Sequence, residues 1–323
     1  MRSVVCHELG PVGKLAVEEG PVPVPGPGEV RISVRAAGAS FAAALQVAGR
    51  YQVRRRPPYV PGGEAAGVVD AVGPGVTGCR PGDRVFAAVG SGAFAEYVVT
   101  PAGQVVSLPD GLDFARGASF LQAYGTAWFA MKHRTVVGPG EWVLVTGAGG
   151  GVGLAAVDVA RAAGARVVAV ASSADKRRLA QDAGAEAVID PLTEDTKARA
   201  RELTGGDGPD VVYDVAGGDV AEAALRALAF GGRFLVVGFP GGIPTIPLNL
   251  VLLRNRTVVG VEWGSWVGRQ PDANRALVGE VVAAVERGEL RPVAPERRPL
   301  DDAGAVFDEL LNRRAAGRIV LVP

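Results

Sequence analysis

This chain of 323 residues holds only two histidines and two cysteines. A structural zinc site takes four Cys or Cys/His ligands, and His7, His133, Cys6 and Cys79 supply no such set at a metal-binding spacing. A structural zinc lobe is excluded, and no spacing supports a catalytic zinc built from His and carboxylates. Cys6 and Cys79 lie far apart, which fits free thiols in a reducing cytoplasm better than a disulfide framework. Net charge is also missing: 34 basic residues balance 34 acidic ones. That removes the electrostatic case for nucleic acid or an anionic membrane as partner. The basic runs Arg54-Arg55-Arg56, Arg297-Arg298 and Arg313-Arg314 are short and flanked by Pro or acid, and they read as solvated surface. No apolar run is long enough to span a bilayer. Met1-Arg2 is followed quickly by Cys6, His7 and Glu8, which is not a signal-peptide pattern, so a cytoplasmic location is expected.

What is present centres on Trp142-Val-Leu-Val-Thr-Gly-Ala-Gly-Gly-Gly-Val-Gly153. An apolar strand runs into a glycine-rich turn, and a small-residue helix follows. Ala148-x-Gly150-x-x-Gly153 is the dinucleotide fingerprint with Ala in place of its first Gly. The first position turns tightly, and Ala is small enough to serve there. Gly150 lets backbone approach a pyrophosphate, and Gly153 lets the helix pack on the strand. Gly151, Val152 and Gly153 then open a helix whose unpaired N–H groups face the phosphates. A bare glycine pattern is weak in a chain with 46 glycines. The strand before it and the helix after it are the confirming context.

Around this motif the chain has two textures. Residues 1 to about 120 show short alternating runs broken by Gly and Pro, with strands expected at 30–35, 66–72, 83–88 and 93–99. From 123 to 263 strands and helices alternate. Strands are expected at 142–146, 166–171, 187–190, 210–214, 232–238 and 257–261. Helices are expected at 151–163, 174–183, 194–204 and 219–229. The fold class is α/β: a Rossmann doubly wound parallel sheet beside a β-barrel domain, with ligand at the carboxyl ends of the sheet strands. The tail, with helices near 272–287 and 301–314 and a strand at 318–322, is expected to complete the first domain. That gives a discontinuous domain, 1–122 with 264–323, around a nucleotide-binding domain, 123–263.

A further absence bears on the nucleotide. The fingerprint usually has an acid at the end of the second strand to hold a ribose 2′-hydroxyl. Here Arg166-Val-Val-Ala-Val-Ala171 ends without one and leads into Ser172, Ser173 and Lys176. Hydroxyls plus a cation suit a 2′-phosphate, which favours NADPH. The same serines also suit a helix cap, and the two roles are compatible. Without a Lewis acid, alcohol oxidation is disfavoured and easily reduced acceptors such as quinones, enones and enoyl thioesters are favoured.

These residues carry a resemblance over essentially the whole chain. Pro61-Gly-Gly-Glu-Ala-Ala-Gly-Val-Val69, Gly82-Asp-Arg-Val85, Ala93-Phe-Ala-Glu-Tyr97, the 142–153 motif, Ile246-Pro-Leu-Asn249 and Gly317-Arg-Ile-Val-Leu321 resemble the zinc-free, zeta-crystallin-like quinone oxidoreductases of the medium-chain dehydrogenase/reductase superfamily. The resemblance implies a GroES-like barrel domain, a Rossmann domain and an active site in the cleft between them. Zinc relatives place Cys and His where this chain has Ser40 and Gly63. The branch commonly has Asn-Phe-x-Asp at 40–43, and this chain has Ser40-Phe41-Ala42-Ala43. A frequent Tyr near the adenosine end is Pro191 here. The resemblance makes Tyr51 a pocket-lining residue and proton donor, against the alternative of an aromatic packing the domain edge. It sets Thr126 near the nicotinamide carboxamide, against a helix hydroxyl bonded to its own backbone. Gly238 and Phe239 become backbone contacts to the nicotinamide. Phe41 and Trp263 line the substrate pocket, and Arg318 reaches for the adenosine phosphate or stays on the surface.

The reading is an NADPH-dependent, zinc-independent reductase that passes a hydride to a quinone or similar conjugated carbonyl. One alternative is an enone or enoyl-thioester reductase in biosynthesis. Another is a non-catalytic, crystallin-like NADPH-binding protein. The apolar strand 257–261 would be a bare sheet edge, so a homodimer through it is expected.

Overall fold

The computed structural model describes all residues 1–323 as two compact units, Met1–Gln122 with Ala294–Pro323 and Ala123–Val293. The first unit opens with β1 (Arg2–Val5), β2 (Ala16–Glu19) and β3 (Glu29–Ala39), followed by α1 (Phe41–Val47). It continues through β4 (Glu64–Val72), β5 (Arg84–Ala88), β6 (Tyr97–Pro101), β7 (Val105–Ser107) and α2 (Phe114–Gly117). Period-two patterning builds its core. Val30, Ile32 and Val34 on β3 are buried, as are Val85 on β5 and Val98 on β6. Strand β3 pairs antiparallel with both β4 and β6.

The chain enters the second unit within α3 (Leu121–Trp128), which runs on as a π-helical turn to Arg134. Then follow β8 (Trp142–Thr146), α4 (Gly151–Ala162), β9 (Arg166–Val170), α5 (Ala174–Asp182), β10 (Ala187–Ile189) and α6 (Thr196–Leu203). After them come β11 (Val211–Asp214), α7 (Gly218–Ala227), β12 (Arg233–Val236), α8 (Asn249–Leu252), β13 (Thr257–Gly260), α9 (Trp263–Arg269) and α10 (Pro271–Glu286). The six strands are all parallel, in the order β10-β9-β8-β11-β12-β13. Strands β8 and β11 are central and fully apolar until their last residues, Thr146 and Asp214. The chain returns to the first unit with β14 (Glu296–Pro299), α11 (Ala303–Leu311) and β15 (Ile319–Val322). Strand β15 pairs with β3.

Two expectations need correction. The second unit runs to Val293, not 263, because α10 buries Leu277, Val281 and Ala284 there. The link after α10 is also tied to α4: the Arg291 N–H donates to buried Asp158 at 2.6 Å, beside the Tyr124 hydroxyl at 2.9 Å. The strand expected at 93–99 begins only at Tyr97. Before it, the Ala93 and Phe94 N–H groups donate to Gly62 and Pro61 carbonyls, and Phe94 O accepts from Val4, which draws this segment out of the sheet. Helix α1, unforeseen, starts where Ser40 Oγ accepts the Ala43 N–H at 3.1 Å.

Candidate cofactor and acceptor site

The fingerprint turn is built by missing side chains. Gly147, not Ala148, makes the tight turn, with φ +61°. Ala148 is fully buried, and its N–H donates to Val170 O at 3.1 Å, tying the turn to β9. Gly150 caps α4 in extended conformation. A Cβ on Gly153 would lie 2.3 Å from Gly147 O, so only glycine lets α4 sit this close to β8. The N–H groups of Gly151, Val152 and Gly153 open α4 at the carboxyl end of the sheet, as an anion site requires. Gly149 adds a contact that sequence reasoning did not foresee. A Cβ there would lie 2.3 Å from Cβ of Lys176, so the lysine stem lies directly against the turn.

Past β9, Ser172 and Ser173 are exposed, and Ser173 Oγ caps α5 by accepting the Lys176 N–H at 3.3 Å. The neighbouring arginines are committed elsewhere: Arg177 to Asp190 at 2.8 Å, Arg178 to Asp175 at 3.0 Å.

Thr146 and Asp214 stand opposite each other at the ends of β8 and β11. Both are fully buried, and the Thr146 hydroxyl donates to Asp214 Oδ1. Thr146 Oγ1 also accepts the N–H groups of Val215 and Ala216, each at 3.1 Å, and Asp214 Oδ1 accepts Gly217 N–H at 3.2 Å. Burial pushes the Asp214 carboxyl above its ordinary value. The loop so held is bonded in turn to the loop after β12: Gly241 N–H to Ala216 O at 2.7 Å, Gly218 N–H to Gly242 O at 2.8 Å. That second loop carries Gly238, whose N–H reaches Asp214 O at 3.3 Å, and Phe239, which is exposed. Neither Thr146 nor Asp214 was singled out from sequence. The available signal was a polar residue closing each of two apolar strands.

Trp263 opens α9, and its ring lies on α3 over Gly125, where a Cβ would come within 2.7 Å. Its indole N–H donates to Asn274 at 3.1 Å. Thr126, the next residue of α3, is half-buried, so the structure brings two of the expected residues to one place.

In the first unit, Ser40 and Phe41 sit at the start of α1, with the Ser40 hydroxyl serving as cap. Tyr51 is half-buried in the loop that follows α1. Glu64, at the start of β4, is buried and accepts the Gln122 N–H at 2.8 Å, capping α3 from 58 positions away. Burial pushes its carboxyl up to about 7, against the opposing pull of the Arg318 charge and the N–H groups of Gln122 and Leu121. The structure therefore places Arg318 within electrostatic reach of Glu64. No group of three or more His, Cys, Asp or Glu stands where it could hold a metal. The donor set does not fit a zinc ion.

With this geometry in hand, comparisons with known proteins agree on one family. The model of the alcohol dehydrogenase GroES-like domain matches residues 26–110, and that of zinc-binding dehydrogenases matches residues 151–280. The chain is 37% identical, over 99% of its length and 88% of the relative's, to a quinone oxidoreductase-like protein 2 homolog of Nematostella vectensis. The chain belongs to the quinone oxidoreductase-like branch of the medium-chain dehydrogenase/reductase superfamily. It is an oxidoreductase by family. Its fold matches the crystal structure of Escherichia coli quinone oxidoreductase complexed with NADPH, with TM-score 0.91 and 27% identity over the whole of both chains. It is also 35% identical, over 92% of its length, to 14% of a mycocerosic acid synthase-like polyketide synthase of Mycobacterium tuberculosis.

Glu64 generates a pH prediction. Its carboxyl is raised above the ordinary 4.5 in the folded state, so its ionisation costs stability as pH rises from there through about 7. Relative to wild type, Glu64→Gln should gain up to roughly 3 kcal/mol across that window and nothing more above it. Thermal unfolding at a series of pH values reads this, and a pH-independent gap between the two proteins would contradict it.

Proposed function

We propose that this chain is an NADPH-dependent reductase that transfers a hydride to a quinone or similar conjugated carbonyl acceptor without a metal. The observation that carries the reading is the Lys176 stem packed on Gly149. It brings the stem of a cationic residue, whose own N–H the Ser173 hydroxyl caps, against the proposed phosphate-binding turn, and β9 leads into Ser172 and Ser173 where an NAD site would have a carboxylate. Ala148, Gly150, Gly151, Val152 and Gly153 take the pyrophosphate on backbone N–H groups. Gly238 and Phe239 present backbone to the nicotinamide, and Thr126 holds its carboxamide. NADPH supplies the hydride when bound there. Phe41, Trp263 and Ser40 are the further candidate contacts of the acceptor. Tyr51 hydrogen-bonds the oxyanion that develops on the acceptor and donates the proton.

The similarity to part of a polyketide synthase favours a second reading, an enone or enoyl thioester as acceptor. We place the protein in the cytoplasm, consistent with the free thiols Cys6 and Cys79. No helix is long and apolar enough to cross a membrane. We also propose a homodimer through β13, an edge strand with exposed Val258 near exposed Leu252 and Leu253.

Three tests follow. NADPH oxidation measured against a naphthoquinone, an enone and an enoyl thioester should show turnover with at least one, and far less with NADH. Tight NADPH binding with no turnover of any acceptor would return the chain to a non-catalytic role. Lys176→Ala should raise KM for NADPH by about 10- to 100-fold and leave KM for NADH unchanged, the loss of one charge-assisted phosphate contact. An equal effect on both cofactors would remove Lys176 from the 2′-phosphate site. Light scattering should give the dimer mass for wild type and the monomer mass for Val258→Glu, and a monomeric wild type would refute the interface.

A further inference from the structure

The loop that carries Tyr51 is also the most one-sidedly charged stretch of the molecule. No acid occurs between Glu29 and Glu64, whereas Arg50, Arg54, Arg55 and Arg56 fall within seven positions. Most other arginines are answered by a carboxylate, as in Arg31–Asp70, Arg161–Asp158, Arg177–Asp190 and Arg233–Glu141. Arg54 and Arg56 are exposed and make no ion pair or hydrogen bond.

Their loop is nonetheless fixed. Arg55, between them, turns inward and donates through Nη2 to Gly90 O at 2.6 Å. Ser91 Oγ and the Gly92 N–H both reach Val60 O, at 2.7 and 2.9 Å. Tyr59 and Cys6 exchange backbone hydrogen bonds of 3.2 and 2.8 Å. Two outward guanidinium groups thus flank an anchored third. A merely solvated loop needs neither the anchor nor an acid-free run of sequence around its arginines. A guanidinium fork matches phosphate oxygens, and the anchor at Arg55 limits the backbone freedom that its two neighbours would lose on binding. A quinone carries no such anion, and a coenzyme A thioester carries three phosphate groups.

We propose that Arg54 and Arg56 bind the phosphates of a coenzyme A thioester whose conjugated acyl end is the acceptor. This rests on the reading of Tyr51 as an acceptor-site residue and selects the substrate class within it. The reduction adds one hydride at the β-carbon and one proton at the α-carbon. The carbon–carbon double bond becomes single, NADPH is oxidised to NADP⁺, and the thioester bond is untouched.

The test compares crotonyl-coenzyme A with crotonyl-N-acetylcysteamine, which has the same acyl thioester and no phosphate. Wild type should show a KM about tenfold or more lower for the coenzyme A ester. In the double variant Arg54→Gln/Arg56→Gln that gap should close, with kcat and the KM for NADPH unchanged. The gap should also shrink with added salt. Absence of a gap in wild type, a gap that survives in the variant, or a rise in the NADPH KM alone would each overturn the proposal. Calorimetric titration with coenzyme A itself reads the site without turnover. Binding that weakens about tenfold in the double variant supports it even if no acceptor is reduced, which would sink the functional reading alone. No binding of coenzyme A by an enzyme that reduces quinones sinks the proposal and leaves the functional reading standing.

Discussion

The hydroxyl–carboxylate pair of Thr146 and Asp214 is the constraint on which the cofactor side depends. Two parallel strands end at the same level, and each ends in a polar residue instead of another valine. Buried polar groups must find partners or cost about 1–3 kcal/mol each. Here the partners are each other and the backbone of the next three residues, Val215 to Gly217. The loop after β11 is therefore fixed to the end of β8, one residue before the turn at Gly147. The loop after β12 is fixed to that loop through Gly241 and Gly218. Three loops at the carboxyl ends of the sheet share one anchor, beside the close approaches at Gly149 and Gly153.

The first unit follows a different economy. Its residues of interest are held by helix caps and an anchored loop instead of a strand-end network. Ser40 spends its hydroxyl on the first turn of α1, and Glu64 spends its carboxylate on the first turn of α3. A carboxylate sealed away from water beside two N–H groups and one arginine is a compromise between desolvation and hydrogen bonding, and its raised ionisation range shows that desolvation wins. Of the cations in the loop after Tyr51, Arg55 is bonded to Gly90 O, and Arg54 and Arg56 have no such partners.

Much of this was legible in the sequence because it is local. The alternating strands and helices of 142–263 follow from hydrophobic period, and their ends fall within a residue or two of the observed ones. Gly153 as a packing glycine and Ser173 as a cap follow from position alone. What escaped was set by contacts between distant residues. Thr146 and Asp214 lie 68 positions apart, Glu64 and Gln122 lie 58 apart, and neither pairing has a local signature. Helix α1 hid in an alanine-rich run without period. Helix α10 is visibly amphipathic, but its pattern does not say which unit covers its apolar face.

The most direct test of the shared anchor is the affinity of folded protein for NADPH with Thr146→Val and Thr146→Ser. Valine keeps the shape of threonine and deletes the hydroxyl that binds Asp214, Val215 and Ala216, whereas serine keeps it. The account requires a rise in NADPH Kd of about tenfold or more for valine, equivalent to one lost buried hydrogen-bond network member, and near wild-type binding for serine. Equal, unimpaired binding by both variants would show that the loops hold their places without this pair.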